Sequence, residues 1–469
     1  MFERLREQAR RKRVEREAPF AVLAAAVLVE SGLNPFRAFE LLASLDSLQA
    51  VAGEVKRIRA EAVAKMRTLP EQLSHEARGT RGVWGRLLST LVSVDRLGLD
   101  PKRSLRDLLY TVLRDMRTEY ESTARRFTGM ISSASVLFGA LPMMFAVIFA
   151  LMASHTVLQY CLGFTILNAF LAATWLLAVE AQVPEVADYR VGYKRILVKW
   201  LPLGAAVGSA LYYGLLQLPQ GLVYSTALPL AAGALAFSLP AYIEWRLYSR
   251  TVDEVVEDLP RVLRDVADEV ARGYSPHQAL ENIAEGYGGF TGKLLSLIIK
   301  EARVRGGLRE AYTRLKNILP KPWRISLELL ALTEEAGGGA GALNTLADTM
   351  LEYTLMIREL RRSTQIYRVL SLGFTAMTLA LLSFLFNTVV VAVAAAGRAA
   401  QMAPTALPFS PVPPEDLPLF KDAVYTMVAA SSVFLALVTG KTTEWRIGGS
   451  LLDLALTSII LLAFLLLRL

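Results

Sequence analysis

Ser31-Gly32-Leu33-Asn34-Pro35-Phe36-Arg37-Ala38-Phe39-Glu40 is answered about 240 residues further on by Arg272-Gly273-Tyr274-Ser275-Pro276-His277-Gln278-Ala279-Leu280-Glu281. Upstream, Glu17-Ala18-Pro19-Phe20 is answered by Asp258-Leu259-Pro260-Arg261 in the same register. Pro19 falls on Pro260, Gly32 on Gly273, Pro35 on Pro276, Ala38 on Ala279 and Glu40 on Glu281. Further along, Ile58, Val63, Leu105 and Asp107 fall on Ile299, Val304, Leu346 and Asp348. The pattern predicts a helix hairpin, twice. An acid and then proline open the first helix, where a missing amide is harmless and negative charge suits the dipole. Gly32 and Gly273 end it in the left-handed conformation, and Asn34 and Ser275 cap a second helix that begins with Pro35 or Pro276.

Around these hairpins lie two polar stretches, residues 1–129 and 244–368. Both have apolar residues three and four apart, as at Leu105, Leu108, Leu109, Val112 and Leu113, which predicts helix throughout. What separates and follows them is apolar. Runs of about 20 residues, enough to cross a bilayer, occupy Met130 to Ala153, Leu158 to Val179, Val198 to Leu216 and Leu222 to Ile243. A second set lies near Val369 to Ala395, Tyr425 to Gly440 and Leu451 to Leu467. The expected fold is therefore all-α: about seven transmembrane helices, with four in residues 130–243, three in 369–469, and two homologous helical-bundle domains.

Composition agrees. The 469 residues are 53% hydrophobic and only 20% charged, with mean hydropathy +0.37. The net charge of +8 sits outside the apolar runs, where the positive-inside rule puts basic residues. Arg190, Lys194, Arg195 and Lys199 assign the loop between the second and third spans to the cytoplasm, as Lys441 and Arg446 do between the sixth and seventh. Residues 153–157 and 217–221 lack charge and the Pro-rich 401–419 is slightly acidic, so these face outward. This topology places the N-terminus and both polar stretches in the cytoplasm and the C-terminus outside. The mixed-charge start does not read as a cleavable signal. Basic residues are interleaved with acids rather than aromatics, which argues against nucleic acid as a partner.

The repeated hairpin resembles the F-domain of type II secretion systems, shared by platform proteins of type IV pili, Tad pili and archaella. In that family an acid and proline open an apolar helix, a glycine turn follows, and alanine occurs in the next helix. The resemblance covers both polar stretches and the apolar helices behind them, and seven spans look more like archaeal members. The later part of each stretch matches loosely, Gly98-Leu99-Asp100-Pro101 against Gly337 to Gly341. The resemblance implies a cell-membrane platform, a homo-oligomer such as a dimer or trimer, that couples a hexameric secretion ATPase to insertion of pilin subunits into a filament. It would carry no cofactor. Surfaces for the ATPase would be the basic clusters Lys102, Arg103 and Arg106; Arg190, Lys194 and Arg195; and Arg303, Arg305 and Arg309. Each cluster reads equally as a solvated helix face, or for the Arg190 group as attraction to lipid headgroups. Arg10-Arg11-Lys12-Arg13 reads as a segment on the lipid surface. Gly204, Ala205, Ala206, Gly208, Ser209 and Ala210 would let a pilin helix approach closely, or pack against the chain's own spans.

Catalytic patterns are sparse. Gly337 to Gly341 lacks the Gly-Lys-Ser/Thr ending of a phosphate cradle and reads as an inter-helix loop, while Gly440-Lys441-Thr442-Thr443 lacks the earlier glycine and reads as a basic turn. His75, His155 and His277 are isolated, Cys161 is the lone cysteine, and no nucleophile elbow occurs, so neither a metal site nor an enzyme is expected. Ionisable residues are absent from the interiors of the spans so placed, with Glu180 and Asp453 near ends. A transporter, the competing reading, usually keeps such groups near the midplane. Asn168 and Asn387 are the polar amides there.

Overall fold

The computed structural model describes residues 2–152, 157–182, 193–217, 226–390 and 417–467. It is about 90% helical, with no strand among the described residues. Among the described residues seven helices are long and apolar enough to cross a membrane, in the places the hydropathy predicts. Ala153, the start of the fourth run, the end of the fifth, His155, Arg190 and most of the expected outward loops lie outside the described residues.

The first stretch folds as α1 (Phe2–Glu30), α2 (Pro35–Leu41), α3 (Gln49–Ala64), α4 (Leu69–Gly79), α5 (Gly82–Leu97) and α6 (Pro101–Ser135). A π-helical segment, Val136–Ala140, passes α6 on to α7 (Leu141–Met152), followed by α8 (Val157–Gln182) and α9 (Tyr193–Leu216). Then come α10 (Ala227–Ala271), α11 (Pro276–Ala284), α12 (Gly289–Arg305), α13 (Leu308–Leu315), α14 (Lys321–Glu335) and α15 (Ala340–Phe384). A second π segment, Leu385–Val390, ends α15, and α16 (Leu417–Glu444) and α17 (Ile447–Leu466) complete the chain.

Two compact units result. One contains Met1–Tyr120 and Arg250–Arg358, so helices from both polar stretches share one core. At its centre are two helices buried on every side, α1 from Phe20 to Val29 and α14 from Ile325 to Thr333, packed on one another. The hairpins form as their sequence dictates. Gly32 (φ 96°) and Gly273 (φ 101°) are left-handed. In both turns the amides bond back in the Schellman manner, Leu33 to Leu28 and Gly32 to Val29, Tyr274 to Glu269 and Gly273 to Val270. Asn34 Oδ1 accepts from the Phe36 amide at 2.9 Å, and Ser275 forms a reciprocal cap with Gln278.

One expectation needs correcting. Pro19 and Pro260 do not start helices; they lie inside α1 and α10. A proline deprives the carbonyl four residues back of its partner, yet burial along α1 carries the helix through. The acids before them serve other helices. Glu17 Oε2 accepts the Ala50 and Val51 amides at 2.9 and 3.0 Å, at the start of α3, and Asp258 Oδ2 accepts the Thr291 hydroxyl at 2.7 Å, at the start of α12.

The other unit is drawn from Glu121–Pro184, Arg190–Ser249 and Glu359–Leu469. Its central helix is α16, enclosed by α7, α8 and α17. Phe386 stacks on Tyr425 at 5.3 Å. The α16–α17 hairpin is tight: a Cβ on Gly440 would meet the Gly449 carbonyl, and Trp445 takes a left-handed φ of 58° to turn the chain. Gly440-Lys441-Thr442-Thr443 is thus helix rather than turn, because the reversal is confined to Trp445 and Arg446.

Candidate functional site

Three charged constellations stand out, each inside one unit. In the first unit Glu328, buried on α14, accepts the Asp46 amide at 2.7 Å and the Ser47 amide at 3.0 Å. Lys316 Nζ lies 2.6 Å from the Asp46 carboxylate. Burial pushes the Glu328 carboxyl up, against the hydrogen bonds that favour its charge. Glu30, also buried, takes Arg106 Nε at 3.0 Å and the Thr345 hydroxyl at 3.1 Å. Gly338 lies so close to Ser31 that a Cβ would overlap its hydroxyl. These are joints between the two stretches, and the Gly337–Gly341 segment is one of them rather than a phosphate cradle.

The second constellation lines a cleft of about 590 Å³ between α1, α3 and the α4–α5 turn. Arg57 sits in its wall between Glu54 and Glu76, at 2.7 and 2.9 Å. Burial opposes the Arg57 charge, but the hydrogen bonds it donates to both carboxylates outweigh it and hold the guanidinium firmly protonated. Arg10 approaches Glu54 at 3.5 Å. Arg10, Arg11 and Lys12, expected on a lipid surface, therefore line a protein cleft of mixed charge.

The third lies in the other unit. Arg368 on α15 bonds Glu444 of α16 at 2.7 Å and also Asp453 of α17, which is fully buried. Lys441 bonds Glu180 at 2.6 Å and the Leu176 carbonyl at 3.2 Å. A buried pair of this kind costs several kcal/mol to strand if one partner is removed, about 3–5 kcal/mol. The arrangement fastens α15, α16 and α17 together.

Four of the basic residues singled out from sequence have a carboxylate within reach. Arg106 is held by Glu30, Arg303 by Glu281 and Arg309 by Glu335 at 2.8 Å. Arg103 lies 4.0 Å from Asp107, and the side chain of Arg305 lies outside the described residues. Lys102, Lys194 and Arg195 are exposed. Of the small residues on α9, Gly204 and Gly208 are covered by α10, where a Cβ would meet Phe237, Gly233 and Pro229; Ala205, Ala206, Ser209 and Ala210 stay exposed. Asn168 is buried and donates to Ser431 at 3.0 Å. Among the described residues no cluster of three or more His, Cys, Asp or Glu could hold a metal ion.

Sequence reasoning missed Glu328, Glu30 and Arg368. Each is one charge in an ordinary helical pattern, with partners 76 to 315 residues away. No family model, curated protein or solved structure matches the chain.

Proposed function

We propose that the chain is the membrane platform of a type IV pilus-like filament assembly machine, taking force from a cytoplasmic hexameric ATPase and passing pilin subunits from the bilayer to the filament base. One observation carries this reading: the repeated hairpin belongs to a repeated succession of six helices. α1 to α6 and α10 to α15 run in the same order, with third helices of 16 and 17 residues, fourth of 11 and 8, and fifth of 16 and 15. Left-handed glycines recur at the matching turns, Gly32 with Gly273 and Gly98 with Gly337, and Trp84 and Trp323 are buried at the third position of α5 and α14. In each succession the sixth helix runs on into an apolar segment. This supports two homologous domains, cytoplasmic by the charge of the flanking loops, each leading into membrane helices as in the F-domain family.

Lys102, Lys194 and Arg195, exposed, are the first residues to test for ATPase contact; Arg106, Arg303 and Arg309 have structural partners to hold. Affinity purification of the full chain from its own membranes, with the captured proteins identified, tests the reading: a secretion-type ATPase and pilins should be retained, and their absence under mild crosslinking contradicts it. Arg368 with Asp453 and Glu444 favours a second reading, a transporter or channel. That reading requires ion or solute flux in proteoliposomes of the purified chain; a platform predicts none.

A further inference from the structure

The cleft between α1, α3 and the α4–α5 turn is lined by groups that the fold itself leaves unused. One is the indole N–H of Trp84. This side chain lines the cleft and is only 3% exposed, with its ring 6.0 Å from that of Phe39. Its one hydrogen bond among the described residues runs from the backbone amide to Glu15. The second stretch shows what the fold does with this group elsewhere. There Trp323, the matching residue of α14, donates its indole N–H to the Val255 carbonyl at 2.6 Å, and Val255 falls on Val14 in the register of the repeat. A tryptophan buried this deeply ordinarily finds such a partner. Trp84 makes no such bond to α1, and faces a cleft instead.

Two further groups stand in the same lining. Glu54 Oε2 is buried and accepts no hydrogen bond, with Arg10 Nε 3.5 Å away. Lys12 and Arg81 are exposed, and neither has a carboxylate within ion-pair reach among the described residues, whereas Arg11 is held by Glu7 at 2.7 Å. The remaining walls are already committed. Arg57 is clamped between Glu54 and Glu76, and the Glu15 carboxylate occupies the Val83 and Trp84 amides that open α5. Recognition of an outside anion therefore falls to Lys12 and Arg81.

The volume, about 590 Å³, suits a small organic molecule. Its apolar lining is confined to Val14 and Trp84, both almost wholly buried, so it offers no ring face for a base to stack on and no wall for an acyl chain. What it offers is a donor, an acceptor and two cations. Hydroxyls answer the first two, since each both accepts and donates, and a phosphate answers the third. We infer that this cleft binds a phosphorylated polyol: Trp84 donates to a hydroxyl, Glu54 accepts from one, and Lys12 and Arg81 hold the phosphate. A free sugar phosphate and the head group of an inositol phospholipid share this chemistry. The site does not depend on the platform reading.

The test uses the full chain, labelled with fluorotryptophan, in phosphatidylcholine nanodiscs and read by fluorine NMR. The Trp84 and Trp323 resonances are assigned by their loss in Trp84→Phe and Trp323→Phe. Glucose phosphate or inositol phosphate should shift the Trp84 resonance and leave that of Trp323 in place. Lys12→Gln and Arg81→Gln, at exposed positions that folding does not need, should each weaken binding about tenfold by calorimetry. Nanodiscs containing phosphatidylinositol separate the two sources: a shifted Trp84 resonance without added ligand assigns the site to the lipid head group, and a shift with the soluble compounds alone assigns it to a free metabolite. The inference is overturned by a Trp84 resonance indifferent to both compounds and to the lipid, by inorganic phosphate binding as tightly as its esters, by equal movement of Trp323, or by undiminished binding in both glutamine variants.

Discussion

The hairpin of α1 to α3 and that of α10 to α12 share a backbone plan and differ in what surrounds it. Both end a long helix on a left-handed glycine, start a short one on proline, and hold the start of the third helix with an acid from the first. Around the first, Phe20 to Val29 are buried on all sides; around the second, α10 keeps an exposed face at Arg261, Arg264 and Asp268. The first acid holds two backbone amides, the second a hydroxyl. The turn chemistry is therefore what the two have in common, and burial is where they diverge.

Substitutions made in pairs break or sharpen this comparison, read as urea-dependent pulse proteolysis of the full chain in nanodiscs. Phe39→Ala should have the largest effect, about 3–5 kcal/mol, and its counterpart Leu280→Ala about 2–5 kcal/mol, since both are buried at the matching position of α2 and α11. Glu17→Ala should cost about 2–3 kcal/mol by stranding the Ala50 and Val51 amides, against about 1 kcal/mol for Asp258→Ala. Equal costs there would mean that the acid acts through something other than these hydrogen bonds. Gly32→Ala and Gly273→Ala should cost the same, about 1–2 kcal/mol each, because the left-handed conformation alone is at stake and neither Cβ would meet a neighbour.

The smallest effect is a pH dependence. The Arg303 hydrogen bond holds the Glu281 carboxyl below its ordinary 4.5, so the pair contributes stability above pH 4.5 that is lost as pH falls through the lowered value. Arg303→Met should lower the melting temperature slightly at pH 7, and the difference from the parent should vanish as pH drops below 4.5. Glu328 has the opposite sign. Its raised value means a cost of ionisation that is present at neutral pH and relieved on acidification toward 4.5.

The helices and their ends were legible because their causes are local: glycine at a left-handed turn, proline in a first turn, a capping side chain two or three residues away. The seven apolar helices were legible by length alone. What escaped depends on partners remote in sequence. Glu17 looks like a helix-start acid until α3 folds against it, and Glu328 looks like a solvated glutamate until residues 46 and 47 bring their amides to it. Lys441, Thr442 and Thr443 look like a loop because the glycine before them suggests one, yet Gly440 is there so that α17 can pass close. The basic clusters were found as sequence, but the carboxylates that occupy Arg106, Arg303 and Arg309 were not.

The platform reading is tested most directly by deleting the gene in its own host, counting surface filaments by electron microscopy, and following the pilins by immunoblot. The account predicts loss of one filament type, with processed pilins accumulating in the membrane and recovery when the intact chain is restored. Unchanged filaments and unchanged pilin distribution in the deletion strain would contradict it.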